Sequence, residues 1–367
     1  MGISEEAYLS VPSHRQITSY HCGPASLEMV FDFYGPDISQ YDIGVVAKTT
    51  YPWGTSTSYM IRAAHFSRYS ARRFGYAAFK HYHFTLDELK WLIDEGYPII
   101  VLQSLGLWGH YRVVVGYNST HVSVNDPLRS MMMNLTQAEF LRVWRDYYYW
   151  GLLVCPWDVH ASTPENLREG DIFEVTATAT YPCPPPFSAD RYFASSSSAT
   201  ITLHEGLSLV SGETYEKTLG TGSLKPGWSA TVRWKIRADN PGSCGMTIMA
   251  SGVIAASSPY SYKDRIGGTK DLTATVNPQS PEEALEELIQ KVESWNLNNG
   301  IEASLISKLQ ASYRSVVKQN QKASIELLEA FMNEIEALGE RMMKNEQSEY
   351  LLEEAQRLTY LIKKYIP

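Results

Sequence analysis

Apolar positions along the chain fall into three successive regimes. Up to about residue 160, apolar runs at helical spacing come first, over 23–34, 58–67 and 85–95. Strand-like runs follow over 98–104, 110–117, 121–125 and 151–155. Between the last two strands, Thr136 stands three residues before Glu139 and opens the run Phe140-Leu141-Arg142-Val143-Trp144. A hydroxyl residue followed three positions later by Glu is the signature of a capped helix start. Helices ahead of an antiparallel sheet predict an α+β unit over residues 1–160.

From 161 to 279 the period changes to two. Asp171–Thr180, Ala199–Leu203, Ser229–Ile236, Gly245–Ala250 and Leu272–Val276 all alternate. Turn signals at Pro226-Gly227, Asn240-Pro241-Gly242 and Gly267-Gly268 separate them. Short alternating strands at regular turn spacing predict an antiparallel β-sandwich of immunoglobulin type. From 280 to 367 the period returns to that of a helix. Ser280-Pro281-Glu282-Glu283 combines a cap, a proline at the first position and a Glu at the third. Leu285, Leu288, Ile289, Val292 and Trp295 carry its stripe, and Asn298-Asn299-Gly300 reads as its end. Stripes at Leu305–Val316, Ile325–Leu338 and Leu351–Ile362 predict three more helices, hence a small bundle.

Within the first unit one run carries chemistry: Gln16-Ile17-Thr18-Ser19-Tyr20-His21-Cys22-Gly23-Pro24. A thiol nucleophile needs a base to take its proton and a donor to hold the oxyanion that forms. The helix predicted from 23 onward starts at Cys22, and unpaired amides at a helix N-terminus stabilise a thiolate. His21 adjoins the thiol in sequence but points elsewhere, and is read as a rim residue. His110 opens the strand Tyr111–Tyr117, and Asn118-Ser119-Thr120 is a turn signal before the strand His121–Asp126, which Pro127 ends. Folded about that turn, His110 falls opposite Asp126 or Pro127. Either register brings the Asp126 carboxylate to the imidazole, where it fixes the tautomer and stabilises the imidazolium. Gln16, Cys22, His110 and Asp126 thus form the candidate site.

Residues 9–157 resemble the papain-like cysteine peptidases of the bacteriocin-processing, double-glycine-leader type, in their free-standing form. The resemblance rests on Val11-Pro12 with Gln16, Cys22-Gly23-Pro24-Ala25-Ser26, Tyr34-Gly35, Gly54-Thr55-Ser56, Gly96–Val101, His110–Tyr117 and Asn125-Asp126-Pro127. It implies Cys22 as nucleophile, His110 as base, Asp126 as orienter and Gln16 as oxyanion donor. The chain departs from the transporter-linked members, since it has neither a membrane segment nor a phosphate-binding Gly-x-x-x-x-Gly-Lys-Ser/Thr loop. The second unit resembles immunoglobulin-like modules appended to exported prokaryotic proteins. The third is similar to helical modules at the ends of secreted archaeal and bacterial proteins.

Composition narrows the partners. The 367 residues carry a formal charge of −8 and 44% apolar positions, which argues for several cores and against a nucleic-acid partner. No apolar run is long enough to cross a membrane. The start Met1-Gly2-Ile3-Ser4-Glu5-Glu6 lacks the basic and apolar regions of a signal peptide and reads as the point where a leader was removed. Sequons at Asn118 and Asn134 fit export. Cys183 and Cys244 could pair in an oxidising compartment or stay as thiols. No Cys or His cluster has metal-ligand spacing, so no metal or cofactor is expected. The Trp144–Trp150 aromatic cluster reads as core ahead of groove lining. The expected protein is a secreted or cell-surface cysteine peptidase acting on peptides or proteins. An outside partner would engage the sandwich or the bundle. An isopeptidase, amidase or transpeptidase would use the same residues, and an inactive adhesion protein would keep the fold alone.

Overall fold

The computed structural model describes residues 2–70, 73–295 and 297–367. The first unit comprises β1 (Ala7–Tyr8), α1 (Cys22–Tyr34), α2 (Gln40–Val46), α3 (Thr57–His65), β2 (Ala77–His81), α4 (Leu86–Asp94), β3 (Ile99–Leu105), β4 (Trp108–Tyr117), β5 (His121–Asp126), β6 (Met131–Thr136), α5 (Gln137–Arg145) and β7 (Gly151–Cys155). Its antiparallel sheet runs β2-β7-β3-β4-β5-β6, with β1 added beside β4. The helix α1 buries Leu27, Met29, Val30 and Phe31 against Ile100, Val113, Val115, Leu152 and Val154 of the sheet. The predicted cap of α5 is present: Thr136 accepts from the Glu139 amide, and the Glu139 carboxylate accepts from the Thr136 amide. The aromatic cluster divides. Trp144 and Trp150 are core, with Trp144 Nε1 donating to the Trp150 carbonyl at 2.7 Å, while Tyr147 borders the cleft.

The β4–β5 hairpin departs from the expected register. Its turn centres on Ser119-Thr120, one residue late, because the Asn118 side chain accepts from the Thr120 and His121 amides. A bulge between Val114 and Gly116 then shifts the pairing, so that Val113 faces Asn125. By that register Arg112, not His110, stands against Asp126.

The second unit contributes β8 (Asp158–Ser162), β9 (Leu167–Arg168), β10 (Ile172–Thr180), β11 (Ala194–Leu203), β12 (Leu207–Leu209), β13 (Glu216–Thr218), β14 (Ser223–Leu224), β15 (Ser229–Ala238), β16 (Gly242–Ala256) and β17 (Tyr262–Asn277). They form one sheet ordered β12-β15-β10-β8 and another ordered β13-β11-β16-β17-β9, with β14 beside β11. The alternating residues Val175, Trp234 and Ile236 of one sheet share a core with Ile201, Ile248 and Val276 of the other. Gly267-Gly268 is not a turn. It lies inside β17, where a Cβ on Gly267 would sit 2.3 Å from the Ala250 carbonyl oxygen and one on Gly268 would sit 1.9 Å from that of Trp157. Cys183 and Cys244 are both free thiols, each within 3.7 Å of a carbonyl oxygen, those of Phe187 and Asn240.

The third unit is α6 (Pro281–Ser294), α7 (Asn299–Val317), α8 (Gln321–Met342) and α9 (Asn345–Tyr365). Ser280 caps α6 as its sequence predicts. Asn298 does not end α6. Its side chain accepts from the Gly300 amide and so caps the start of α7. The bundle is fastened to the β unit through Glu169, a fully buried carboxylate that accepts from Lys364 at 2.6 Å and from the Tyr365 hydroxyl. No helix among the described residues is long and apolar enough to cross a membrane.

The first two units are not beads on a linker. Phe79 and Phe84 lie in the same buried cluster as Trp157, Tyr181 and Phe187. Arg62 of α3, 4% exposed, donates to Asp264 of β17 at 2.9 Å, and Ser67 donates to the same carboxylate through its amide and hydroxyl. The Gly75 amide donates to the Arg265 carbonyl at 2.7 Å. Removing Asp264 leaves a guanidinium buried and unpaired, which costs about 3–5 kcal/mol. Asp264→Ala is therefore expected to lower stability to urea by that order across both units together. Two separate transitions, with the first unit unaffected, would contradict the shared interface.

Candidate active site

The site is assembled from three pieces of chain. Cys22 is the first residue of α1, and no side chain caps that helix. Its first amides therefore have no partner within the helix. Gly23 lets the helix start approach the loop beneath it: a Cβ there would lie 2.8 Å from Met60 Sδ and 3.1 Å from the Thr55 side chain. His110 and Arg112 project from the same face of β4, two residues apart. Asp126 ends β5.

His110 Nε2 lies 2.7 Å from Asp126 Oδ1. The opposite ring nitrogen is thereby left over, and the Cys22 thiol lines the same cleft, near enough to influence the imidazole's charge. His110 is 4% exposed and Asp126 0%. Burial by itself would lower the imidazole's pKa, but the hydrogen bonds and charges of Asp126 and Cys22 outweigh it and hold the value above the ordinary one. Burial would likewise raise the Asp126 carboxyl. The His110 hydrogen bond and charge, the Arg112 charge and the Leu128 amide bring it down to about 2 instead.

In the sequence Arg112 is only part of a strand, and its partners are visible only in three dimensions. Its Nε donates to Asp126 Oδ2 at 3.0 Å and its Nη1 to Gln103 Oε1 at 2.8 Å. The carboxylate is thus divided, one oxygen for the imidazole and the Leu128 amide, the other for the guanidinium. An Arg inside a β-branched strand is an anomaly in the sequence, and that anomaly was the available signal.

Gln16 borders the same cleft. Its backbone amide donates to the Pro127 carbonyl at 2.9 Å, which ties it to the residue after Asp126. Gln40 of α2 holds the neighbours on either side: Oε1 accepts from the Ile17 amide at 2.8 Å, and Nε2 donates to the Arg15 carbonyl at 2.9 Å. The Gln16 side-chain Nε2 donates one hydrogen to the Thr18 carbonyl at 2.6 Å. A primary amide has a second N–H, which this bond leaves over. His21 is not at the rim. It is buried against Gly44, with its Nδ1 2.5 Å from the Thr18 hydroxyl.

The cleft has a volume of about 560 Å³. Tyr51, Trp53, Leu105, Trp108 and Tyr147 line it, and its only titratable polar groups besides tyrosines, among the described residues, are Cys22 and His110. The remaining histidines are used elsewhere, His14 with Asp32 at 2.6 Å and His65 with the Tyr262 hydroxyl at 2.8 Å. The arrangement places a thiol, an imidazole and an amide donor at one opening, the components of acyl transfer.

Two measurements follow from these charges. Burial pushes the other thiols up, Cys155 far above its usual range, Cys183 to about 11 and Cys244 in the same direction. Near neutral pH, iodoacetamide is expected to label Cys22 first, since the thiolate is the reacting species. Equal rates at all four positions would contradict the site. Replacing Arg112 by Met removes a positive charge beside Asp126 and close to His110, so both groups are expected to titrate at higher pH. An NMR titration of the His110 ring reads the effect, and a downward shift would contradict the electrostatics.

Residues 8–151, which contain all four expected site residues and Arg112, match the sequence profile described as the Peptidase_C39 like family. No curated protein matches the chain. A putative C39-like peptidase from Bacillus anthracis is 16% identical, with a TM-score of 0.36, over 41% of this chain and 98% of its own. The peptidase domain of Streptococcus ComA, a bifunctional ABC transporter of a quorum-sensing pathway, is 23% identical, with a TM-score of 0.33, over 40% of this chain and 98% of its own. A cohesin module from a Clostridium perfringens family 33 glycoside hydrolase is 10% identical, with a TM-score of 0.21, over 34% and 98%. The profile match thus covers the stretch that builds the cleft and ends before the β unit begins.

Proposed function

We propose that the protein is a cysteine peptidase that cleaves a peptide bond through an acyl-thioester on Cys22. The observation that supports this most is the His110 imidazole, 2.7 Å from the buried Asp126 carboxylate and lining one cleft with the Cys22 thiol. The C39-like match over residues 8–151 supports the same chemistry.

In this reading His110 takes the thiol proton on the nitrogen facing Cys22. The sulfur adds to the scissile carbonyl carbon, and the oxygen becomes an oxyanion. The free N–H of the Gln16 amide and the backbone N–H of Cys22 stabilise it. As the C–N bond breaks, His110 returns the proton to the leaving amine. Water, deprotonated by the same imidazole, then attacks the thioester and releases Cys22. Asp126 keeps the ring oriented and stabilises its charged form, and Arg112 keeps Asp126 ionised. The substrate is a peptide or protein segment entering an aromatic cleft, and export to the cell surface or medium belongs to the same proposal.

Incubation with a proteome-derived peptide mixture, followed by mass spectrometry, tests the activity. Cleavages that appear with the wild type and vanish in Cys22→Ala are expected. Products identical in both would remove the peptidase reading. The Gln16 role separates from a structural one by comparing two rates in Gln16→Ala. Alkylation of Cys22 forms no oxyanion and is expected to stay nearly intact. Turnover is expected to fall about 10²–10³-fold, the usual worth of one oxyanion donor. A parallel loss in both would mean that Gln16 only supports the fold around Cys22.

A further inference from the structure

One wall of the cleft is the loop from Thr49 to Thr55. It is closed by reciprocal hydrogen bonds between Thr50 and Gly54, of 3.1 and 2.8 Å, and by the Thr49 and Thr55 hydroxyls at 2.7 Å. Its tip carries Trp53, 80% exposed, which lines the cleft together with Trp108 of the β3–β4 hairpin, 59% exposed. Its far end is anchored, because the Thr55 carbonyl accepts from the Tyr111 hydroxyl at 3.0 Å. Its near end begins at Lys48, whose backbone is left-handed, with φ of 46°. The end of α2 holds the backbone there, the Lys48 amide donating to the Val45 carbonyl at 3.3 Å and the Thr49 amide to the Gly44 carbonyl at 2.9 Å.

The second unit adds a hold on the Lys48 side chain. The hairpin between β16 and β17 reaches across α3 and presents Tyr260 to it. The Lys48 ammonium lies 5.3 Å from the Tyr260 ring centre and 5.6 Å from that of Tyr59. The two rings pack on one another at 6.2 Å. Arg62 Nε donates to the Tyr260 hydroxyl at 3.1 Å, and the buried Arg62–Asp264 pair fixes the base of the hairpin. A cation seated between two aromatic rings is attracted to both faces.

We propose that Tyr260 is a positioning residue for the substrate cleft: the β unit holds Lys48, and through it the Trp53 wall, in the geometry that an extended peptide meets. This rests on the peptidase reading, and it makes the second unit part of the cleft rather than a spacer. Tyr260 touches no reacting atom. Its loss would loosen the wall and leave Cys22 and His110 as they are.

The test uses the full chain and two reagents for Cys22. Iodoacetamide needs only the thiol, whereas a benzyloxycarbonyl-dipeptidyl chloromethyl ketone must also occupy the cleft. In Tyr260→Ala the peptidyl reagent is expected to slow by about two- to fivefold, the range of one exposed cation–π contact. Iodoacetamide is expected to react as in the wild type. Tyr260→Phe keeps the ring and is expected to restore the peptidyl rate. Amide exchange over 48–55, followed by mass spectrometry, is expected to quicken in Tyr260→Ala and not in Tyr260→Phe. Unchanged exchange with an unchanged ratio of the two reagents would overturn the proposal, as would an equal slowing of both reagents. If wild-type Cys22 proves inert to both, the peptidase reading falls, and the exchange of 48–55 still decides whether Tyr260 holds the wall.

Discussion

The site depends on one buried carboxylate. Asp126 is fully enclosed, and an enclosed charge persists only when its oxygens are all engaged. Here they are: His110 and the Leu128 amide take Oδ1, and Arg112 takes Oδ2. The same contacts align β4 with β5, fix the imidazole's orientation and place the Pro127 carbonyl that receives the Gln16 amide. Imidazole alignment and strand pairing are therefore one set of hydrogen bonds. An enclosed carboxylate held to about 2 stays charged throughout the range in which a thiol–imidazole pair operates. Because its folded value is depressed, the stability it contributes is present above the ordinary carboxylate range and is lost as the pH falls through about 2.

The sequence made the candidate site legible because its thiol, imidazole and carboxylate sit at places that local patterns mark. Cys22 precedes an apolar helical run, His110 begins a β-branched strand, and Asp126 stands before a proline. What remained hidden depends on register and on long-range contacts. The hairpin turn formed one residue later than expected because Asn118 bonds forward to two amides, and the Val115 bulge altered the pairing again. His110 still reaches Asp126, but diagonally from beside Arg112. Arg112 and Gln40 act through partners 14 and 23 residues away, and no periodicity reports such pairs.

Glycines and asparagines mark boundaries ambiguously for a related reason. Gly267-Gly268 has the composition of a turn but serves as a smooth track on which β17 passes the Trp157 backbone. Asn298 has the composition of a helix end, yet its side chain starts the next helix. Both residue types suit either role, and only the neighbouring chain decides between them. The helical caps at Thr136 and Ser280 were legible because a capping box is closed by residues three apart.

The packing of α3 against β17 has a consequence for how such a chain can change. Modules joined by a flexible tether can be exchanged or lost while the catalytic part persists. Here Arg62, Ser67 and Gly75 of the first unit find their partners on β17, and Gly268 leaves room for the Trp157 backbone. A different β module grafted after residue 160 would have to reproduce an acid at the height of Asp264 and a strand bare of side chains beside it. The two units thus depend on each other, and substitutions on one side of the seam constrain those on the other.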